Sequence, residues 1–354
     1  MQWYPLKLST PLARQCFGGE RLRTRLGKAI DTQKRVAEAW EVSDVEGASA
    51  RIENGELAGL SLHDVVEQHK EALMGPHWQG PPHFPLLYKF IDGTGMLPVH
   101  VHADDDTARR QGIWHHGKTE AWHILWCEPG ATLLLGVKAG VTHERLREAL
   151  LAQDYDTVMH RYSLRPGDTF YVPAGTLHSF GPGVVLGEIQ QTADILEQAM
   201  PWEMADGAPL SQEQWEANIE ATLGQLNLDQ QSQPHPGLVI HDGEHIERRF
   251  CCAGPWFAME RIVFTRGYRR SFDRAVLLSN PDAPITVRWA NGETQLPRAE
   301  SLLLPAALGE IELVGKGDVL MHYEPDLEHD VVAPLMAAGY SQHEIEQLGD
   351  IGVR

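Results

Sequence analysis

Residues 167–178 read Gly-Asp-Thr-Phe-Tyr-Val-Pro-Ala-Gly-Thr-Leu-His. Gly167 and Asp168 suit a tight turn, and Phe170, Tyr171 and Val172 have the aromatic and β-branched character of a strand. Pro173 and Gly175 suit a second turn, which places His178 near the rim of a barrel. The same rhythm of short strand and turn extends on both sides. Stretches 84–92, 97–102, 120–127, 132–137, 168–173 and 184–190 are β-rich and separated by turn residues. A helical pattern interrupts them at THERLREALLAQ, starting from Thr142. Many short strands with Gly and Pro turns predict a mainly β fold, a sandwich or jelly roll rather than a βαβ fold.

Further out, the first 50 residues read as short extended pieces broken by Gly and Pro. Over 61–75 the spacing predicts a helix, with Ser61 as N-cap, Asp64 three residues on and Gly75 closing it. A Pro- and Gly-rich loop follows over 76–85. Ser211 with Gln214 marks a second capped helix over 211–225. DQQSQPHPG, residues 229–237, is polar and proline-bearing, the best linker in the chain. A second β-rich block occupies 238–323, and the end turns polar and helical, with Ser341 and Glu344 as another capping box. The expected organisation is a domain over 1–228 with small helical insertions, a linker over 229–237, a β domain over 238–325 and a helical tail over 326–354.

The whole-chain numbers narrow the function classes. At 354 residues and 42% hydrophobic, the chain is long enough for two globular domains. A net charge of −19 repels phosphate backbones, so no nucleic-acid partner is expected. No apolar run reaches the roughly 18 residues of a membrane span, so no membrane is expected either. The first twenty residues lack a signal-peptide pattern. Cys16, Cys127, Cys251 and Cys252 form no C-x-x-C pair, which fits a reduced, cytoplasmic protein.

Chemistry concentrates at His100-Val101-His102. On a strand, alternation puts both imidazoles on one face, a common start for a metal site. Alone, in a chain with 18 histidines, the motif also fits two packing histidines. Residues 167–178 change that balance. Their pattern G-x5-P-x-G-x2-H resembles the second motif of the cupin superfamily at every fixed position. In cupins the first motif supplies H-x-H followed closely by Glu. Here Ala-Asp-Asp-Asp follows His102, and the next carboxylate in strand context is Glu120. Asp104, Asp105 and Asp106 are alternative acidic ligands, or a solvated loop shaping the rim. His100, His102, Glu120 and His178 make a set suited to Zn²⁺, and also to Fe²⁺, Mn²⁺, Co²⁺ or Ni²⁺.

A narrower resemblance rests on Phe84-Pro-Leu-Leu-Tyr-Lys89, Leu97-Pro-Val-His100-Val-His102-Ala-Asp104-Asp105, Gly117-Lys118-Thr-Glu120-Ala-Trp122 and Glu188-Ile-Gln190-Gln191. Gly18-Gly19 and Ala37-Glu38-Ala-Trp40-Glu-Val-Ser fit too. Together they resemble the type I mannose-6-phosphate isomerases, especially the short bacterial form, well over about residues 1–195 and more loosely beyond. The resemblance implies jelly-roll cupin barrels and a zinc-dependent aldose–ketose isomerase. It assigns zinc to His100, His102, Glu120 and His178, with His100 where the family usually has Gln. It assigns substrate phosphate to Lys89 and Lys118, and the family's serine falls on Pro98. The family's turnover-linked arginine falls on Gln198.

Isomerisation between C1 and C2 of a sugar needs an electrophile at the oxygens and a base near the carbons. Lys118 shares a strand face with Glu120 and is a catalytic candidate. Glu188 is another, and it alternates with Gln190, a substrate-binding candidate. The expected activity interconverts mannose 6-phosphate and fructose 6-phosphate through a cis-enediol. Pro98 and Gln198 keep open an isomerase of another sugar, phosphorylated or unphosphorylated, and a non-catalytic carbohydrate-binding cupin. An iron oxygenase fits less well, since no Glu follows His102 at cupin spacing. The expected partner is a small sugar or sugar phosphate, with the chain a monomer or homodimer. The second β block offers no H-x-H and no His after Pro305-Ala-Ala-Leu-Gly309, so a second, degenerate barrel is expected there.

Overall fold

The computed structural model describes residues 1–30 and 34–352. Strands dominate, and every ladder is antiparallel. The first six-stranded sheet runs, in spatial order, Leu12–Ala13, Glu38–Val42, Leu86–Gly93, Val184–Gln191, Glu120–Cys127 and Thr169–Val172. It faces a five-stranded sheet ordered Glu197–Gln198, His100–Val101, His178–Phe180, Thr132–Val137 and Met159–Ser163. Between them lie the fully buried Trp122, Phe170, Phe180, Leu133 and Leu186. Most strand neighbours are distant in sequence, the crossed connectivity of a jelly roll.

The pattern repeats downstream. A six-stranded sheet holds Leu238–His241, Ile246–Ala253, Ala258–Phe264, Gly317–Tyr323, Val276–Asn280 and Glu300–Leu304. A four-stranded sheet holds Tyr268–Ser271, Glu310–Val314, Ile285–Trp289 and Gly292–Leu296. This second pair encloses its own apolar cluster, including Phe250, Ile262, Leu278 and Met321. Among the described residues the one His/Cys/Asp/Glu group close enough to hold a metal lies in the first pair. The second is therefore the same architecture without that chemistry.

A larger cluster bridges the two halves. It joins Leu6, Tyr88, Val185 and Ile189 to Phe257, Leu277, Leu303 and Leu320. The stretch 229–237 carries no strand or helix, yet it is tied down. His235 bridges to Thr169, and Tyr162 donates to the Ser232 carbonyl at 3.1 Å. We propose that the chain divides at this segment, with the bridging cluster fixing the two barrels against each other.

Local sequence explains the helices. Ser61 and Asp64 form a reciprocal capping box on Leu62–Met74, and Ser211 and Gln214 do so on Gln212–Leu223. Thr142 caps His143–Ala152. Asp104 is the N-cap of a helix at Asp105–Gln111, its exposed side chain accepting from the Thr107 N–H. The second β block opens at Leu238 as expected, and His241 ends its first strand. No helix among the described residues is long and apolar enough to cross a membrane.

Candidate metal centre

Three strands of the first barrel converge on one point. His100 pairs directly with His178 across two antiparallel strands, so both imidazoles share a face. His102 follows at period two. The turn at Pro173–Gly175 brings His178 into place, where Gly175 has φ +85° and its N–H donates to the His102 carbonyl at 2.8 Å. Pairing alone thus joins the two histidine motifs. The ligand atoms of His100, His102 and His178 lie within 4.8 Å of one another, and all three residues are buried.

Each imidazole is oriented by a backbone carbonyl. The Nδ1 of His100 lies 2.8 Å from the Pro98 oxygen, that of His102 2.7 Å from Ile195, and that of His178 2.8 Å from Thr176. A carbonyl only accepts, so each Nδ1 carries the proton and each Nε2 keeps its lone pair. Glu120 stands beside them. Its two oxygens lie 3.2 Å from His102 Nε2 and 3.2 Å from His178 Nε2. Buried acceptors therefore face buried acceptors, and His178 Nε2 has no hydrogen-bond partner. A cation among them satisfies that arrangement, so the residues present fit a divalent metal.

The electrostatics agree with neutral, ligating imidazoles. Burial, then the neighbouring His178, holds His100 well below its ordinary value. Burial, then the Lys118 ammonium, lowers His102 to about 3. Burial alone would raise the Glu120 carboxyl, but Lys118 and His102 override it and keep it well below the usual carboxylate range.

Around this point stand the other residues singled out by sequence. Lys118 Nζ is 2.9 Å from Glu120 and 3.1 Å from His102 Nε2. Lys89 pairs across the sheet with Glu188, with Nζ 3.2 Å from its carboxylate and 3.4 Å from Glu38. Trp122 donates its indole N–H to Glu188 at 3.0 Å. Burial, then the Glu120 carboxylate, pushes Glu188 above its ordinary value, with Lys89 and Lys118 opposing. Gln190 pairs with Glu120 across the sheet, and its Nε2 donates to the Gln191 and Ala193 carbonyls. Gln198 pairs with His100 and so faces the same side, its Oε1 buried without a partner.

Sequence reasoning missed two contributors. Glu38 neutralises part of the Lys89 charge from a neighbouring strand, and only its place in Ala37-Glu38-Ala-Trp40 hinted at it. Ile195 holds His102 through a carbonyl, and no side-chain pattern could reveal that. Asp104, Asp105 and Asp106 are not part of the metal-holding group, because Asp104 caps a helix and Asp105 accepts from the Gly117 N–H.

Comparison with known proteins points the same way. Residues 6–121 match the model of the type I phosphomannose isomerase catalytic domain. The probable mannose-6-phosphate isomerase GmuF of Bacillus subtilis is 39% identical over 191 residues, which span 54% of this chain and 59% of that protein. The mannose-6-phosphate isomerase ManA of Bacillus subtilis is 28% identical over 328 residues, spanning 90% of this chain and 98% of that one. In fold, the crystal structure of the mannose 6-phosphate isomerase from Bacillus subtilis covers 91% of this chain and 100% of its own, with a TM-score of 0.80 at 22% identity. Over its N-terminal third the chain is similar to the type I phosphomannose isomerase catalytic domain, and over most of its length it shares the fold of a mannose 6-phosphate isomerase.

Proposed function

We propose that this protein is a metal-dependent aldose–ketose isomerase that interconverts mannose 6-phosphate and fructose 6-phosphate through a cis-enediol. The observation that carries the reading is the convergence of His100, His102, His178 and Glu120 beside two buried lysines. Zn²⁺ is the metal this nitrogen-rich set suits best. Bound there, it would act as a Lewis acid, drawing electrons from the sugar carbonyl.

The chain's own residues supply the rest. Burial would lower the Lys89 ammonium, but Glu38 and Glu188 override it, so Lys89 stays charged. Lys89 and Lys118 then bind and orient an anionic sugar. Glu188 is the candidate to move the proton between C1 and C2. Its raised affinity for a proton brings it closer to the range where a carboxylate both takes and returns one. Gln190 helps line the ligand face. Trp122, fully buried below Glu188, keeps water from that side and fixes the carboxylate. A monomer or homodimer in the cytoplasm would suit such an enzyme.

A second reading has its own support. Gln198 pairs with His100, Pro98 touches His100 through its carbonyl, and neither supplies a directed donor equal to a guanidinium. That favours another sugar, an unphosphorylated one included, for the same chemistry.

The test is turnover of mannose 6-phosphate by chelator-stripped protein with zinc restored, run beside mannose and a His178→Ala variant. Zinc-dependent turnover lost in the variant is the expected outcome. Turnover of mannose alone would select the second reading. No turnover of either sugar by metal-loaded protein would overturn the isomerase.

A further inference from the structure

Away from the metal centre, arginines gather where the two barrels meet. Arg25, Arg261 and Arg298 all line a cavity of about 280 Å³. Ile124 and Val185 of the first barrel and Leu320 of the second give it apolar walls. None of His100, His102, Glu120, His178, Lys89 or Lys118 lines it.

Two of the three guanidiniums have no counter-ion. Arg261 is committed to Asp318, with its Nε donating at 2.7 Å and its Nη2 making a second contact. Arg25 and Arg298 form no ion pair among the described residues. Arg25 lies over the Trp126 ring at 4.8 Å, and Arg298 donates to the Arg25 carbonyl at 3.4 Å. Both residues are exposed, and none of their nitrogens is a buried atom without a partner, so a ligand can reach them.

The fold holds this pair of like charges together. Gly27, at φ +84°, turns the chain after Leu22–Leu26, and the buried Lys28 then donates to the Ala299 carbonyl at 2.9 Å. From the other side, the buried Asn280 donates to the Leu296 and Pro297 carbonyls at 3.0 and 3.2 Å. Its own carbonyl accepts from the Ala299 N–H at 2.6 Å. Ala299 sits at φ +59°, a left-handed conformation that is costly for a residue with a Cβ. The turn that presents Arg298 is thus fixed and strained, a combination found where a fold maintains a site. A chain with 49 acidic residues places none of them against either guanidinium among the described residues.

The walls narrow the ligand. Three guanidiniums repel a cation, and a neutral molecule gains little from them. An oxyanion gains most, because the forked N–H donors of arginine match the oxygens of phosphate and carboxylate. The volume lies just below the roughly 300 Å³ at which small-molecule sites begin, so the body behind the anionic head carries only a few carbons. Asp282, the lining carboxylate outside the Arg261 pair, is exposed, where water and salt screen its repulsion.

We propose that this cavity binds a small organic oxyanion, a phosphate or carboxylate on a body of a few carbons, held by Arg25 and Arg298. The inference does not rest on the isomerase reading, since it concerns binding away from the metal.

The test is calorimetric titration of the full chain at low ionic strength with glycerol 3-phosphate, lactate and glycerol. The wild type should bind one or both anions and not glycerol, and the tighter anion names the head group. Arg25→Gln and Arg298→Gln should each weaken that binding about fivefold, as one guanidinium contact at a solvated site is worth. The double variant should weaken it further than either, and added salt should weaken it in the wild type. Lys118→Met, which removes a cation at the metal centre, should bind the anion as the wild type does. Neither arginine has an ion pair to lose, so both Gln variants should keep the wild-type melting temperature, which separates binding from folding. Four outcomes would each overturn the proposal. Failure of the wild type to bind either anion is one, and it would leave the arginines as solvated surface charges. Unchanged binding in both Gln variants is another. Binding weakened by Lys118→Met but not by the arginine variants would place the anion at the metal centre. Glycerol bound as tightly as glycerol 3-phosphate would show that the charge is not what the cavity reads.

Discussion

At the scale of single residues, His100 stands where the resemblance to type I mannose-6-phosphate isomerases would put Gln. Its Nε2 is presented by a Nδ1 fixed on the Pro98 carbonyl, and a carboxamide oxygen at that place would be a harder, less basic donor. His100→Gln should therefore weaken metal retention by about tenfold or more, read by competition with a chromophoric chelator. Equal affinity would show that the imidazole adds nothing. Glu188→Gln addresses the proton. It keeps the size and the Trp122 bond but cannot take a proton, so kcat should fall by roughly 10²–10⁴ with metal content unchanged. A parallel loss of metal would instead assign Glu188 to site assembly. The site was legible in the sequence because strand alternation and turn chemistry fix where His100, His102 and His178 point. Carbonyl partners such as Pro98, Ile195 and Thr176 were not, because a backbone oxygen leaves no mark in composition.

At the scale of elements, Asp105–Gln111 is a helix that the sequence reading left out. Three successive acids after a ligand histidine read as a solvated rim. The competing physics was helix capping. Asp104 satisfies an orphan N–H at 2.7 Å, and Asp105 and Asp106 sit in the first turn, where the helix dipole favours negative charge. Asp104→Ala should cost about 1 kcal/mol of local stability, visible as faster amide exchange over 107–111, with metal content unchanged. Loss of the metal in that variant would restore Asp104 as a ligand. Capped helices such as Leu62–Met74 were readable because Ser61 and Asp64 announce them within four residues. The division between the opening strands of the second barrel was not. Leu238–His241 and Ile246–Ala253 are only partly buried at their outer ends, so their alternation is diluted by His241, Glu247, Arg248 and Arg249.

At the scale of the whole molecule, the two barrels are held by a shared apolar seam in which ionisable groups are also buried. His322 is fully buried there, both ring nitrogens lacking partners, with its ring 4.3 Å from Tyr88. His123 is buried nearby on the strand that carries Glu120, bonded to Thr169 at 2.9 Å. Burial lowers both from 6.5 to about 3, with Arg261 adding to the effect at His123 and His123 adding to it at His322. A histidine with a lowered folded value favours the fold above 6.5, and that stability is lost as pH falls toward 3. At pH 5 each costs about 2 kcal/mol relative to pH 7. Glu41 works in the opposite sense. Burial raises it from 4.5 to about 6 despite Lys28, 2.7 Å away, so its contribution grows as pH falls through 6. It returns about 1 kcal/mol at pH 5. Together the three groups should make the protein about 3 kcal/mol less stable at pH 5 than at pH 7. His322→Phe fills the same apolar seam without a titrating nitrogen. Urea unfolding at both pH values should show its pH 7 to pH 5 loss smaller by about 2 kcal/mol. An unchanged loss would mean that His322 does not protonate on unfolding in that window, and the acid sensitivity of the seam would then belong to His123.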